Sequence, residues 1–346
     1  MAVRWIEGFE TYQTGTQWDR RYATRTGSFT IQAGRVFGSS GSLGAPVFVA
    51  PSFGLADAWG IGFGVNFLAQ TGALSVGDGF YIEKGTTEQV HLEFVKNAGS
   101  FEVKLMRATT QLAITTSAFA YGVWHHFELK VTVHPSTGAY ELRHNEVAVF
   151  SASGVNTANE GTSQADVFAI RFASTSTNNR FDDIFVWDGT GASNNDFLGD
   201  CISEGIEVNA DGFTIQWTND AGTGSNFQNV DDPGNTTPDE TGAGGTNSSD
   251  TVGQKDLYGY TDLTQIQGNI LAVQVDTQMA MASAGSRTVK LRFRDDGGVE
   301  ADGDTFTVSS TVYDGFSDVL DVNPQSLAAW DVADINGGQF GVEVVS

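Results

Sequence analysis

The densest chemistry in this 346-residue chain is Asp295-Asp296-Gly297-Gly298-Val299-Glu300-Ala301-Asp302-Gly303-Asp304, five carboxylates in ten residues between two expected strands. Hard oxygen donors on a glycine-permissive loop suit Ca²⁺, so Asp295, Asp296, Glu300, Asp302 and Asp304 are candidate calcium ligands. Their spacing fits neither the EF-hand loop nor the Gly-Gly-x-Gly-x-Asp repeat, and the alternative is an acidic hairpin tip facing water. Asn209-Ala210-Asp211-Gly212 is a weaker version of the same pattern. His125 and His126 are adjacent. Neighbours on a strand point to opposite faces, so the two cannot share one ion. His134 lies about 26 Å further along at ~3.3 Å per residue. His125 is therefore expected to be a buried, hydrogen-bonded core residue. Asp182-Asp183 falls in an expected strand, so one carboxylate should face inward and accept backbone hydrogen bonds, with a calcium or sugar role as the alternative.

Jelly-roll glycosidases carry a Glu-x-Asp-x-x-Glu or Glu-x-Asp-x-Glu run, because alternation sets the carboxylates on one face about the scissile bond. None occurs here. Glu7 and Glu10 fall on opposite faces of an expected strand. There is no Gly-x-Ser-x-Gly elbow, P-loop or His-Glu-x-x-His. The chain is accordingly expected not to be an enzyme, with the reservation that a fold can bring unlinked carboxylates together. Sugar binding calls for aromatic faces beside amides and carboxylates. Trp59, Tyr81, Trp124, Trp187 and Trp217 are the candidates, and strand parity sets Trp124 on the face of Glu128 and Lys130. Trp124, Trp187, Asp182 and Asp183 form the expected ligand-binding set.

These residues need a scaffold, and alternation supplies one. Val123, His125, Phe127, Leu129, Val131 and Val133 share one face of a long half-buried strand, with Trp124, His126, Glu128, Lys130, Thr132 and His134 on the other. Pro135-Ser136-Thr137-Gly138 provides a turn, and 140–150 reads as the return strand. Further strands are expected at 5–9, 29–31, 59–68, 80–82, 90–96, 101–107, 167–172 and 181–187. Around 189–200 the chain turns Gly/Asn/Asp-rich, which sets a domain boundary: 1–200 and 201–346. The second part holds a long loop at 231–250, strands at 270–281, 288–294, 305–312 and 339–345, and a short helical turn near 324–335 with Leu327 and Trp330 facing the core. The fold class is all-β: an N-terminal jelly-roll sandwich and a smaller, acidic C-terminal β-sandwich.

Composition agrees. The chain is 40% hydrophobic with 24 Phe and 7 Trp, enough for a core, which excludes wholesale disorder. Its 42 acidic and 18 basic residues leave a formal charge of −24. Residues 201–346 carry 23 acids against 5 bases, a net of −18, and 1–200 the remaining −6. Phosphate backbones and anionic lipid surfaces repel such a chain, so neither nucleic acid nor membrane is an expected partner. Cys201 is the sole cysteine, so no intrachain disulfide forms. The N-terminus lacks a signal-peptide pattern and the most apolar stretch, 45–74, is broken by prolines, glycines and Asp57, so synthesis in a cytoplasm is expected.

Trp5-Ile6-Glu7-Gly8-Phe9-Glu10-Thr11-Tyr12 resembles the opening of concanavalin A-like, laminin-G-like jelly rolls in tailed-bacteriophage virion proteins. Similar stretches follow in order: Trp124–Val131 with Thr137–Arg143; Phe181–Val186 with Gly189-Thr190-Gly191 and Phe197–Asp200; then Gln216-Trp217-Thr218, Asn226–Asp232 and Phe340–Val344. The resemblance spans nearly the whole chain. It implies a structural minor-tail or fibre-associated protein made in the bacterial host, with other virion proteins as partners, host-surface glycan as a ligand, and a homo-oligomeric state. A head decoration protein is the alternative and a polysaccharide depolymerase the third reading. The resemblance brings no catalytic residues.

Overall fold

The computed structural model describes residues 2–10, 12, 22–68, 74–173, 179–231, 245–266 and 268–346. The expected loop at 231–250 lies mostly outside them. The chain forms two compact units, Met1–Glu10 with Tyr22–Ser203, and a second made chiefly of Glu204–Ser346.

The first unit is built from β1 (Val3–Glu7), β2 (Thr24–Ala33), β3 (Ser39–Val49), β4 (Ala58–Phe67), β5 (Gly79–Lys84), β6 (Thr87–Asn97) and β7 (Ser100–Arg107). It continues with β8 (Thr110–Ile114), β9 (Phe119–Ala120), β10 (His125–Thr132), β11 (Gly138–His144), β12 (Val147–Val155), β13 (Val167–Arg171) and β14 (Asn179–Asp188). These strands hydrogen-bond in the order β12-β11-β10-β4-β14-β3-β13-β5-β6-β7-β8, with β1 on β14, β2 on β3 and β9 on β7. The long sheet folds back on itself. Phe63 of β4 stacks on Phe80 of β5 at 4.0 Å, and Phe67 meets Phe94 and Phe101 at 5.1 and 4.9 Å, although β14, β3 and β13 separate β4 from β5 in the sheet. The result is the expected jelly-roll sandwich around a phenylalanine-rich core. Each such ring removed from water contributes about 1.5–3 kcal/mol.

β4 shows why the sandwich has usable outer surfaces. Trp59, Ile61, Phe63, Val65 and Phe67 point into the core, while Gly60, Gly62 and Gly64 alternate on the outer side. Lys130, Glu128 and His126 of β10 pair with these glycines on one flank, and Trp187, Phe185 and Asp182 of β14 on the other. With no Cβ in the way, the Trp187 and Phe185 rings lie across Gly60 and Gly62, and Arg35 lies over Gly64. The expected single strand over 140–150 is instead two, turning at Asn145-Glu146, both at positive φ (46° and 67°) as a tight I′ hairpin requires.

The second unit contains β15 (Val208–Ile215), β16 (Thr218–Asn219), β17 (Asn247–Ser248), β18 (Lys255–Tyr260), β19 (Val273–Met279), β20 (Arg287–Arg294), β21 (Glu300–Val308), β22 (Asp314–Leu320) and β23 (Gln339–Val344). A five-stranded sheet, β15-β18-β23-β20-β21, faces the β19–β22 pair across Val289, Leu291, Phe293, Phe340 and Val342. The Asp256 carboxylate is fully buried and accepts from the Gln216 and Trp217 amides (2.6 and 2.7 Å), Asn226 Nδ2 (2.8 Å) and the Tyr258 hydroxyl (2.9 Å). Gln216, Trp217 and Asn226 of this half's motifs are thus held by one buried acid. The helical turn is α1 (Val332–Asn336), capped reciprocally by Asp331 and Asp334. Trp330 is buried as expected, but Leu327 is 76% exposed, because it sits before the helix with φ +58°.

A methyl group at Gly62 would collide with the Phe185 ring. Gly62→Ala is expected to cost about 1–3 kcal/mol, the usual range for overpacking, measured by chemical denaturation.

Candidate functional site

Three polar assemblies lie on the outer faces of the first unit. The first is a groove of about 420 Å³ over β10, β11 and β12. Register places Lys130, Glu141 and Ser151 in one cross-strand row and Thr132, Ala139 and Ser153 in the next. Lys130 pairs with Asp196 at 2.7 Å, and Arg143 with Glu141 at 2.7 Å. The Arg143 guanidinium also stacks 3.6 Å over the Phe197 ring, so Asp196 and Phe197 wall the groove. Hydroxyls, carboxylates and cations on a rigid sheet match the paired donors and acceptors of a sugar.

The second assembly is a carboxylate cluster. Parity would aim Asp182 and Asp183 to opposite faces, but β14 bulges there: Asp183 has φ +50° and the register against β4 shifts between Asp182 and Phe185. Both carboxylates therefore turn outward to Arg35. Asp182 Oδ2 accepts the Arg35 amide at 2.6 Å, and Asp183 Oδ2 accepts Arg35 Nε at 2.8 Å. The expectation that one faces the core is corrected by this bulge. Glu10 joins them because the chain leaves β1 at Glu7 and Phe9 takes φ +66°. One oxygen from each of Glu10, Asp182 and Asp183 lies within 4.8 Å of the others, the one such three-residue group among the described residues. Burial and the neighbouring Asp182 push the Glu10 carboxyl up to about 10; burial and Asp183 push Asp182 to about 8. Three acids about one guanidinium carry excess negative charge that a proton neutralises and a divalent cation could also balance.

The third assembly lies on the outer face of the other layer, where β13, β5, β6 and β7 adjoin. The Tyr81 ring is stacked between His91 (4.4 Å, 13°) and the Arg171 guanidinium (4.6 Å), and Arg171 holds Glu83 through both terminal nitrogens. His91 Nδ1 is 2.6 Å from Glu88, and its Nε2 is 4.0 Å from Glu93. Burial, then Glu88, pushes the Tyr81 hydroxyl up. A histidine fixed at one nitrogen by a carboxylate can exchange a proton at the other.

The residues expected from sequence fare differently. Trp187 is 0% exposed over Gly60 and offers no ring face, a correction that follows from the glycines beneath it. Trp124 is half-buried ahead of β10 and does not line the groove. Glu128, expected on an open face, is 1% exposed. His125 is a bonded core residue, with Nδ1 3.0 Å from His144 Nε2 and Nε2 2.9 Å from the Ala120 carbonyl. The acidic loop is shorter than expected. Only 295–299 turns, closed by Asp295 Oδ1 accepting the Val299 amide, and β21 resumes at Glu300. Glu300 then pairs with Lys255 and Arg292, and Asp302 with Lys290 and Arg292, so tethered cations occupy these acids. No linear motif marks the groove; its trace in the sequence is the alternation of Lys130 with Thr132, Glu141 with Arg143 and Ser151 with Ser153.

Neither a family model nor a curated protein matches the chain. Solved structures similar to it include domain 4 of AbnA, a GH43 extracellular arabinanase from Geobacillus stearothermophilus (14% identity, 54% of this chain and 93% of that one, TM-score 0.37). An endo-β-1,4-glucuronan lyase from the fungus Trichoderma reesei (12%, 54% and 95%, 0.36) and the carbohydrate-binding module CBM66 from Bacillus subtilis (11%, 49% and 99%, 0.32) are also among them. At such values these likenesses place no residue and assign no activity. The expectation that the chain is not an enzyme is nonetheless withdrawn. The fold brings together ionisable groups that no linear motif announces.

Two outcomes follow. Unfolded, Glu10 and Asp182 titrate near 4.5 and 3.8; folded, they hold protons to about 10 and about 8. The folded state binds more protons, so stability falls as pH rises, and Tm should be lower at pH 9 than at pH 7. Glu10→Gln should flatten that slope, and calcium at pH 9 should raise the wild-type Tm but not the variant's; no calcium response assigns the cluster to the proton alone. In the second unit, Arg292→Ala removes one of the two cations paired with each of Glu300, Asp302 and Glu343. It should cost about 1–2 kcal/mol at low salt and less in high salt, read by denaturation.

Proposed function

We propose that this chain is a glycan-recognising structural component of a tailed-bacteriophage virion, at the tail tip or a fibre, acting as a homo-oligomer with other virion proteins. Its saccharide contact is the groove over β10–β12. The observation that carries the saccharide part is the groove itself: two cations, two carboxylates and the Thr132, Ser151 and Ser153 hydroxyls arrayed at sheet spacing beside Phe197. Its volume falls within the range of small-ligand sites. Support for the virion setting is the order of sequence motifs along the chain.

Cleavage of the bound glycan is a second reading, and the Tyr81–His91–Glu88 array favours it, since it stacks a carboxylate-held imidazole on a phenol whose hydroxyl donates to the Gly77 carbonyl.

A glycan array with purified protein should show binding that Arg143→Ala together with Ser151→Ala weakens at least about tenfold, one lost charged contact and one neutral one. An empty array sinks the adhesion reading. Immunogold on intact particles should label the tail; label on the shell would favour a head decoration protein. New chain ends released from host polysaccharide, and lost in His91→Ala, would establish the catalytic reading.

A further inference from the structure

Residues Asp196–Ser203 cross the outer face of β10, β4 and β14 as a strap with little regular structure of its own. Its backbone is held by side chains of the sheet and adjacent turns. Glu128 accepts the Leu198 and Gly199 amides at 2.6 and 3.1 Å. Arg35 donates to Asp200 Oδ1 (2.5 Å) and the Cys201 carbonyl (2.7 Å). Asp183 accepts the Ser203 amide at 2.8 Å, and Glu146 the Asp200 amide at 3.4 Å. The strap therefore depends on anchors that are nearly all ionisable.

His126 shares this face, one pleat from Glu128. It is 2% exposed, lies parallel to the Phe185 ring (6.2 Å, 21°), and neither ring nitrogen has a hydrogen-bond partner among the described residues. A buried imidazole without partners is rare enough to need a reason. The charged groups around it are Asp200 on the strap, Arg35 from the β2–β3 turn, Glu146 from the β11–β12 turn and His144 on β11. Glu128 lies on its own strand, and Asp182 and Asp183 lie across Gly64 on β14. Every one of these carboxylates except Asp182 already bonds the strap or belongs to it, and Asp182, Asp183 and Asp200 also hold Arg35.

We propose that His126 is an acid-triggered release for the Asp196–Ser203 strap, so that a proton on its imidazole opens the strap and withdraws Asp196 and Phe197 from the groove. An imidazolium has two N–H donors that must find acceptors or water. The acceptors at hand are those that hold the strap, and Arg35 beside it adds like charge. Taking an acceptor removes an anchor, and admitting water requires the strap to lift. Burial lowers the His126 pKa to about 4, against 6.5 for the free side chain. A depressed folded pKa means the closed strap is stable above 6.5 and loses that stability as pH falls toward 4.

Amide hydrogen exchange on the intact chain tests this without any ligand, so its failure is separate from failure of the groove reading. Corrected for intrinsic rates, protection at Leu198, Gly199, Asp200 and Ser203 should fall about thirtyfold from pH 7.5 to pH 5, the ratio implied by the two pKa values. Phe127 and Leu129 in the β10 ladder should stay protected. His126→Leu, and His126→Met as a second variant, should hold strap protection level across the same range. Protection that falls equally in both variants would assign the effect to Glu128, Asp183 and Glu146 and overturn the proposal, as would a wild-type strap indifferent to pH.

Discussion

The missing Cβ atoms of Gly60, Gly62 and Gly64 are the constraint on which the outer surface of the first unit rests. On their inner side β4 contributes an unbroken apolar row to the core; on their outer side they leave a shallow channel one residue wide. Trp187, Phe185 and Arg35 fill that channel, and with it in place the His126–Glu128 part of the polar row of β10 is no longer the surface of the molecule. His126 and Glu128 become buried. A buried carboxylate needs hydrogen bonds to offset its lost hydration, and Glu128 finds them in the Leu198 and Gly199 amides. The strap, the groove wall it carries and the carboxylates around Arg35 follow from three side chains that are absent.

What was legible follows from what a period of two encodes. Alternation locates strands and separates their two faces, and the long run from His125 to Thr132 pairs as its pattern demands. It does not say what covers the polar face. Glu128 and Trp187 were misread for this reason, since a charged residue and a tryptophan on the outer side of a sheet look exposed until a further layer is known. Asp182-Asp183 was misread for another: parity assumes a regular ladder, and one residue in the left-handed region is enough to send both carboxylates the same way. Bulges leave no mark in a hydrophobic pattern. Glu10 is invisible as a partner of this pair because 171 residues of chain intervene before Asp182.

The two units show that acid density in a sequence is a poor guide to where negative charge goes unbalanced. Residues 295–304 hold five carboxylates, yet Lys290 and Arg292 on the adjoining β20, with Lys255 reaching from β18, tie Glu300, Asp302 and Glu343 into a network. Three of the five bases in residues 201–346 are committed there. A calcium ion would have to displace cations tethered a few ångströms away, at the high effective concentration that tethering confers. Glu10, Asp182 and Asp183 present the reverse: three scattered acids that converge where, among the described residues, Arg35 alone answers them, and the fold retains protons instead. The local count of cations, set by register and bulges, decides which acids bind something further. Composition fixes only the sum.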